Sequence, residues 1–300
     1  MPELPEVETT VRGLSKKVLK RTFVDVWSDW NKLVKKPRLY QGRGGQAKDF
    51  LQFKKEINGK KIKRVWRRAK NVIFDLSDGY SLLVHQKMTG HLLVGKWEKT
   101  GGAWQPVKSG PLNDPYNRFL HIIFFFDDGR MMALSDVRKF AKIELWKTEE
   151  LINSKEFKKI GPEPLDKKFT LAKFGKVLEN KKGRVKQVLM NPEVIAGIGN
   201  IYASEILWQA KINPEKNVAD LKLAELKRIY QSIKKVLEMA VKLGGESFSD
   251  YRKPDGTKGD FDSERRVYKR EAEKCRRCGA KIKRIKFGGR STFFCPACQK

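Results

Sequence analysis

Hydrophobic positions divide the chain into three stretches. From Pro5 to about Leu19 the apolar residues Val7, Val11, Leu14 and Val18 recur at the spacing of one amphipathic helix. Between 22 and 150 short apolar runs alternate with tight turns. Val72–Leu76, Ser77-Asp78-Gly79 and Leu82–His85 predict one hairpin, and Ile122–Phe126, Asp127-Asp128-Gly129 and Met131–Leu134 a second. Gly101-Gly102 to Pro115 reads as a loop between them. The basic stretch 35–70 holds a short helix near Phe50–Ile57. Beyond about 155 helical periodicity takes over, at Phe169–Leu178, Val185–Met190, Glu193–Ala196, Ile201–Gln209 and Ala219–Leu243, the last stopped by Gly244-Gly245. Ser247–Asp262 is polar and contains glycine, which predicts a mobile loop.

These patterns predict a multi-domain α+β chain. Residues 1–154 form a β-sandwich flanked by helices, 155–168 a linker around Gly161-Pro162-Glu163-Pro164-Leu165, 169–262 a helical domain, and 263–300 a cysteine-bearing segment.

Charge changes the picture next. With 65 basic and 35 acidic residues the formal net charge is +30, which calls for a polyanionic partner, nucleic acid before an acidic membrane surface. Lysine enrichment for heat tolerance would raise glutamate in parallel, and it has not. Ile122–Phe126 is far too short to cross a bilayer, and an N-terminus of acids and prolines is no signal peptide. A cytoplasmic protein without a membrane partner is expected.

All four cysteines fall within 275–300, as Cys275-Arg-Arg-Cys278 and Cys295-Pro-Ala-Cys298 separated by 16 residues. In a reducing compartment two such pairs point to zinc, and four thiolates close the site, so the single ion is structural. Basic residues and Phe287, Phe293 and Phe294 interleave between the pairs, with Gly288-Gly289-Arg290 as the turn. That hairpin suits phosphate or base contact; a zinc ribbon that binds protein is the alternative.

Met1-Pro2-Glu3-Leu4-Pro5-Glu6-Val7-Glu8 carries the candidate chemistry. Trimming Met1 would expose the secondary amine of Pro2, and an α-amino group titrates at about 7.7–8.0. Glu3 then stands beside a nucleophile as a proton donor. The plainer reading is a helix start, with Pro5 and the glutamates in its first turn. Gly197-Ile198-Gly199-Asn200 runs into a helix with Asn200 at the N-cap, either ordinary capping or a phosphate site. His85-Gln86-Lys87-Met88-Thr89-Gly90 and Asp136-Val137-Arg138-Lys139-Phe140 follow strands, and Met, Arg and Phe there are either core residues or a wedge that fills space left by an extruded base. Arg67-Arg68-Ala69-Lys70 reads as a solvated basic face or as the seat of a functional lysine.

In this order the motifs resemble those of the formamidopyrimidine-DNA glycosylases, bacterial enzymes that remove oxidised purines such as 8-oxoguanine. The resemblance covers nearly the whole chain. It implies an N-terminal β-sandwich, a helix–two-turn–helix domain and a zinc finger, with DNA in the cleft between. The implied protein is a monomer acting on double-stranded DNA with oxidised bases or abasic sites, associated with the nucleoid through that binding. It implies roles too. Pro2 attacks C1′ and forms a Schiff base, Glu3 protonates the sugar or leaving group, and Glu6 supports them. Lys70 holds phosphate and assists β-elimination; Arg290 serves δ-elimination and shares a phosphate clamp with Asn200. Met88, Arg138 and Phe140 fill the gap and meet the orphaned base. His85, Phe119 and Lys181 fall at DNA-contacting positions, and Ser247–Asp262 resembles the loop that covers the flipped base.

The sequence departs from that pattern at Phe119, where relatives often carry a polar ring, at Gln86-Lys87 and Ala141, and at Glu246-Ser247-Phe248-Ser249. Two rivals share parts of the reading. An endonuclease VIII-type enzyme for oxidised pyrimidines shares the amine and the finger, but Leu4 favours the purine branch. A non-catalytic zinc-ribbon nucleic-acid-binding protein would need neither Pro2 nor Glu3 nor Lys70.

Overall fold

The computed structural model describes residues 1–35, 46–248 and 250–300; 36–45, within the basic stretch, and Ser249, within the expected loop 247–262, lie outside the described residues. The chain packs as two units, Met1–Lys158 with Gly244–Asp260, and Lys159–Leu243 with Phe261–Lys300.

The first unit begins with α1 (Leu4–Val18), whose Val7, Val11, Leu14 and Val18 are buried. Strand β1 (Phe23–Ser28), helix α2 (Gln46–Ile57) and strands β2 (Ile62–Arg68), β3 (Asn71–Leu76), β4 (Tyr80–His85) and β5 (His91–Gly95) follow. Next come β6 (Trp97–Thr100), β7 (Ala103–Pro106), β8 (Leu120–Phe126), β9 (Met131–Ser135) and β10 (Lys142–Lys147), then α3 (Thr148–Asn153) and α4 (Lys155–Lys158). Two antiparallel sheets result, ordered β1-β8-β9-β5 and β10-β4-β3-β2. Both expected hairpins form, β3 with β4 and β8 with β9.

Alternation decides which side chains face inward. Ile122, Phe124 and Phe126 of β8 meet Val72, Phe74 and Leu76 of β3 in the shared core, which α1 and α2 close with Leu14 and Phe53. Ile123 of β8 faces the other way, into a second cluster with Trp97, against which Trp27, Trp104 and Phe125 pack. This outer cluster explains why β8 is apolar on both faces. It also corrects the 101–115 loop: Ala103–Pro106 pairs with Trp97–Thr100, and Gly101-Gly102 is the hairpin turn.

The second unit contains α5 (Leu171–Leu178), α6 (Val185–Met190), α7 (Asn200–Ala210) and α8 (Leu223–Lys242), then β11 (Lys283–Phe287) and β12 (Arg290–Phe294), which pair as a hairpin. The long helix buries Ile229, Ile233, Val236, Leu237 and Ala240. Phe169, Phe174 and Tyr230 stack at centroid separations of 5.8–6.2 Å, and the Tyr230 hydroxyl donates to Phe169 O. Glu193–Ala196 is a turn and not a helix. Its backbone is committed elsewhere: Gly161 N donates to Pro192 O and Ala196 N to Pro162 O. A Cβ on Gly161 would lie 2.7 Å from Val194 O, so glycine there serves close backbone approach.

Packing boundaries therefore differ from those drawn on composition at 154, 168 and 262. The largest difference is Gly244–Asp260, which packs with the sandwich. Most of Ser247–Asp262, expected to be a mobile loop, falls within it, yet Tyr251, Arg252, Pro254 and Gly259 are buried. Val94 N donates to Pro254 O, and Asn117 Nδ2 donates to Gly256 O. Arg252 pairs with Asp114 and Ser247 Oγ accepts from Gly259 N, partners that polarity along the chain does not reveal.

Candidate active site and nucleic-acid contacts

At the start of α1 the physical chemistry is that of a helix N-terminus, where unpaired N–H groups attract carboxylates. Glu3 is the N-cap and forms a capping box with Glu6. Both are 1% exposed. Glu6 Oε2 accepts from Glu3 N at 2.7 Å, and Glu6 Oε1 accepts from Glu246 N at 2.7 Å. The Tyr251 hydroxyl donates to Glu6 O at 3.0 Å, and burial pushes this phenol well above its ordinary value, so it remains a donor. Gly245 has φ +82°, and a Cβ there would lie 2.7 Å from Glu6 Oε1. Gly245, Glu246 and Tyr251 thus form a buttress for Glu6.

Pro2 is buried beside them, while Met1 lines an open pocket with Trp30, Lys87, Met88 and Phe140. With Met1 attached the Pro2 nitrogen is an amide. Removing Met1 leaves a secondary amine at the edge of that pocket.

Lys70 sits in the β2–β3 turn, where Ala69 adopts φ +52°. Arg67 fixes this turn by donating to Ala69 O at 3.0 Å and pairing with Glu8 of α1 at 2.9 Å. Burial pushes the Glu8 carboxyl up, but Arg67 and Arg12 outweigh it and hold it below the ordinary carboxylate range. One ion pair therefore ties the helix bearing Pro2 to the turn bearing Lys70. His85, opposite Asn71 in the sheet, has its pKa pushed down to about 3 by burial and then by Lys87, Lys70 and Lys142. Its Nδ1 accepts from Lys87 N at 3.0 Å, so the neutral ring carries its proton on Nε2.

Asp136, fully buried, builds the turn after β9. Thr89 Oγ1 donates to its Oδ1, Ala141 N to its Oδ2 at 2.8 Å, and Arg138 N to Thr89 Oγ1 at 3.1 Å. The result holds Arg138 and Phe140 outward, with the Arg138 guanidinium 4.5 Å from the Phe140 ring centroid. Phe140 and Met88 are 52% and 40% exposed, which rules out a core role for them. Phe119 is half-buried under the Arg118 guanidinium, and its carbonyl accepts from Asp136 N.

In the second unit Asn200 is the first residue of α7 and Gly199 is the N-cap, a correction of one position. The Asn200 side chain is thereby released from capping. Its Nδ2 donates to Ser291 O at 3.1 Å and its Oδ1 accepts from Lys186 Nζ at 2.8 Å. Lys186 Nζ also donates to Thr292 Oγ1 at 2.9 Å. Lys186, Asn200 and Thr292 line a cavity of about 230 Å³ with Gln187, Phe287 and Arg290. Arg290 is exposed at the turn of the β11–β12 hairpin, where Gly288 and Gly289 supply positive φ. Lys181 lies on the exposed turn before α6 and is not among the cavity residues.

Sequence reading missed Lys186. It is 1% exposed on the buried side of α6 with Val185, Val188 and Leu189. The available signal was its i, i+3 relation to Leu189, which places an ammonium on an apolar stripe.

The four cysteine sulfurs lie within 4.8 Å of one another, Cys278 to Cys295 at 3.5 Å and Cys275 to Cys298 at 4.0 Å. Tetrahedral zinc with bonds of about 2.3 Å requires sulfurs about 3.8 Å apart, so the donor set fits. Trp208 Nε1 donates to Cys275 Sγ at 3.4 Å, and Val267, Ile282 and Phe293 pack around it. Glu205 of α7 anchors the approach to the finger by accepting from the backbone N–H groups of Arg266, Val267 and Tyr268.

Among the described residues no helix is long and apolar enough to cross a membrane. Three family models match: the formamidopyrimidine-DNA glycosylase N-terminal domain at residues 1–143, the H2TH domain of the same glycosylase at 160–252, and the zinc finger found in FPG and IleRS at 272–300. A formamidopyrimidine-DNA glycosylase of Pelotomaculum thermopropionicum is 37% identical over 100% of this chain and 99% of its own. The structure of Lactococcus lactis Fpg in complex with DNA containing an abasic site is 34% identical, covers 99% of both chains and superposes with a TM-score of 0.83. That of the Lactococcus lactis protein with Fapy-dG-containing DNA is 34% identical over 99% of this chain and 100% of its own, with a TM-score of 0.82.

Proposed function

We propose, for a chain that belongs to the formamidopyrimidine-DNA glycosylase family, that it excises oxidised purines from duplex DNA and then opens the abasic strand. Its structural zinc holds the finger and takes no part in bond making. The observation that carries the reading is the N-terminal corner: Pro2 buried next to two carboxylates that accept backbone N–H groups, with Met1 at a pocket mouth.

The chemistry follows from a free amine. Once Met1 is gone, the Pro2 nitrogen bonds to C1′ as the bond to the damaged base breaks, and Glu3 supplies the proton that the sugar or leaving group takes up. Opening of the sugar ring then gives an iminium. The iminium acidifies the C2′ proton, whose loss expels the 3′ phosphate; a second elimination expels the 5′ phosphate. Lys70, beside neutral His85, holds phosphate during these eliminations. Turning the nucleotide out costs a few kcal/mol of stacking; Met88, Arg138 and Phe140 offset it by filling the gap. Asn200 and Arg290 grip phosphate, and Lys186 holds the Asn200 side chain in place.

Borohydride reduction of the enzyme on an 8-oxoguanine duplex tests this. A covalent adduct that peptide mapping places on Pro2 is expected. An adduct on a lysine, or none, would overturn the reading, and faster cleavage of a thymine glycol duplex would move the chain to the pyrimidine branch.

A further inference from the structure

The pocket beside Met1 has features that the roles above do not use. Its volume is about 490 Å³, and its lining includes Trp30 and the ammonium-bearing Lys32, Lys35, Lys87 and Lys139. Among the described residues none of these four lysines forms an ion pair, whereas nearby Lys142 is paired with Glu144. Four exposed cations around one cavity, without a counter-charge among the described residues, create a demand for an anion.

The anion must also suit an indole. Trp30 is half-buried, with part of its ring against the sandwich core. Lys139 Nζ lies 4.6 Å and Lys32 Nζ 5.1 Å from its ring centroid. Such cation–π contacts are weak at exposed sites, weaker than a charge-assisted bond to phosphate. An arriving phosphodiester would therefore draw the ammonium groups off the ring and leave the indole for a flat apolar partner.

Backbone strain marks the same place. Lys87 and Lys139 both adopt left-handed φ, at +56°, a conformation that strains a non-glycine residue. The surrounding bonds impose that conformation, Lys87 N to His85 Nδ1 and Lys139 N to Asp136 O. Both turns thus hold a lysine at the pocket.

We propose that this pocket is a nucleotide subsite for the undamaged strand, with the indole of Trp30 against one base or its sugar and Lys32 and Lys139 on the flanking phosphates. The assignment rests on the glycosylase reading, in which Met88, Arg138 and Phe140 fill the duplex and face the orphaned partner. Met88 and Phe140 form the pocket's rim, and Lys139 joins Arg138 to Phe140 in the chain. Chain that passes the wedge on the orphan side enters a cavity matched to base and phosphate together.

The test compares Trp30→Ala, Trp30→Phe and the wild type on two probes: a duplex with a stable abasic-site analogue, and the same oligonucleotide as a single strand. Stacking worth about 1–3 kcal/mol predicts that Trp30→Ala binds the duplex roughly 5- to 100-fold more weakly and the single strand as the wild type does. Trp30→Phe should recover most of the loss. Lys32→Gln should lower the salt dependence of duplex binding by about one phosphate contact. Equal losses on both probes would assign the pocket to the damaged strand and overturn the proposal, as would no loss on either. Borohydride trapping of the wild type separates the two readings: without an adduct the glycosylase assignment fails, while with an adduct and an indifferent Trp30→Ala only the subsite fails.

Discussion

The N-terminal corner of the sandwich and the Asn200 cavity of the helical unit solve opposite electrostatic problems. In the first, the buried carboxylate of Glu6, beside buried Glu3, accepts N–H groups from Glu3 at the cap and from Glu246 on the buttress. In the second, a buried ammonium sits among oxygens of Asn200, Ser291 and Thr292. The first is satisfied by protein alone. The second draws one wall from the hairpin that lies between the two cysteine pairs, so the zinc that those four sulfurs fit would frame it. On the proposed function, chemistry and grip thus have separate supports in this chain, and each is open to attack without the other.

Removing the metal gives the largest separation. In Cys278→Ser, zinc content should fall to near zero and the β11–β12 hairpin should lose its frame. Losing two charge-assisted phosphate contacts of about 1.5–3 kcal/mol each predicts a fall in affinity for abasic-analogue duplex of roughly 10²- to 10⁴-fold. The unfolding transition of the sandwich unit should stay in place. If it shifts with the zinc, the supports are not separate.

The buttress is the matching target in the first unit. Arg252 is 1% exposed, lies 2.9 Å from Asp114 and 4.7 Å from the Tyr116 ring centroid, and donates to the carbonyl of Tyr251. Breaking a buried pair by removing one partner costs about 3–5 kcal/mol. Because Asp114 keeps some access to water, Arg252→Leu should cost about 2–4 kcal/mol of sandwich stability by urea unfolding. Excision of 8-oxoguanine should slow as Glu6 loses its support, while zinc content stays at one. Unchanged excision would show that Glu6 is held by its capping box alone.

How far such features can be read without a structure depends on whether their cause is local. The hairpins at 71–85 and 120–135, helix α1 and the cysteine pairs follow from alternation, turn residues and spacing within a few positions of each other, and they were legible. The buttress was not, because its polar residues are explained by partners about 240 positions away, as with Glu246 and Glu6. Asn200 illustrates a subtler limit. It has the chemistry of an N-cap, but tertiary bonds to Lys186 and Ser291 take its side chain and Gly199 caps instead. Trp30 carries no motif at all, and only the fold brings Lys139 over its ring.

Lys186→Met sharpens the contrast at smaller scale. The substitution keeps an unbranched side chain on α6 and removes the buried charge. Lys186 Nζ is spent on Asn200, Ser291 and Thr292, so the substitution acts by loosening Asn200. Losing the one bond that Asn200 makes to a charged phosphate, about 1.5–3 kcal/mol, predicts a roughly 10- to 100-fold loss of duplex affinity. Single-turnover excision at saturating enzyme should change far less, because the amine and both glutamates belong to the other unit. A collapse of that rate with affinity intact would place Lys186 in the chemistry and dissolve the distinction between grip and reaction.

The smallest effect concerns acid. His85 titrates near 6.5 when unfolded and near 3 in the folded sandwich, because burial and then Lys87, Lys70 and Lys142 disfavour the charged ring. Between those values the unfolded chain binds a proton that the folded chain refuses. The contribution is fully present above pH 6.5 and is lost as pH falls toward 3. The sandwich should therefore lose roughly 1–2 kcal/mol between pH 7 and pH 5 from this residue, whereas the helical unit has no share in it. His85→Asn should remove that part of the slope while the slope due to carboxylates remains. Urea unfolding of both proteins at pH 7 and pH 5 measures the difference. Identical slopes would mean that His85 reaches water and takes its proton in the folded state, which would also return a positive charge to the neighbourhood of Lys70.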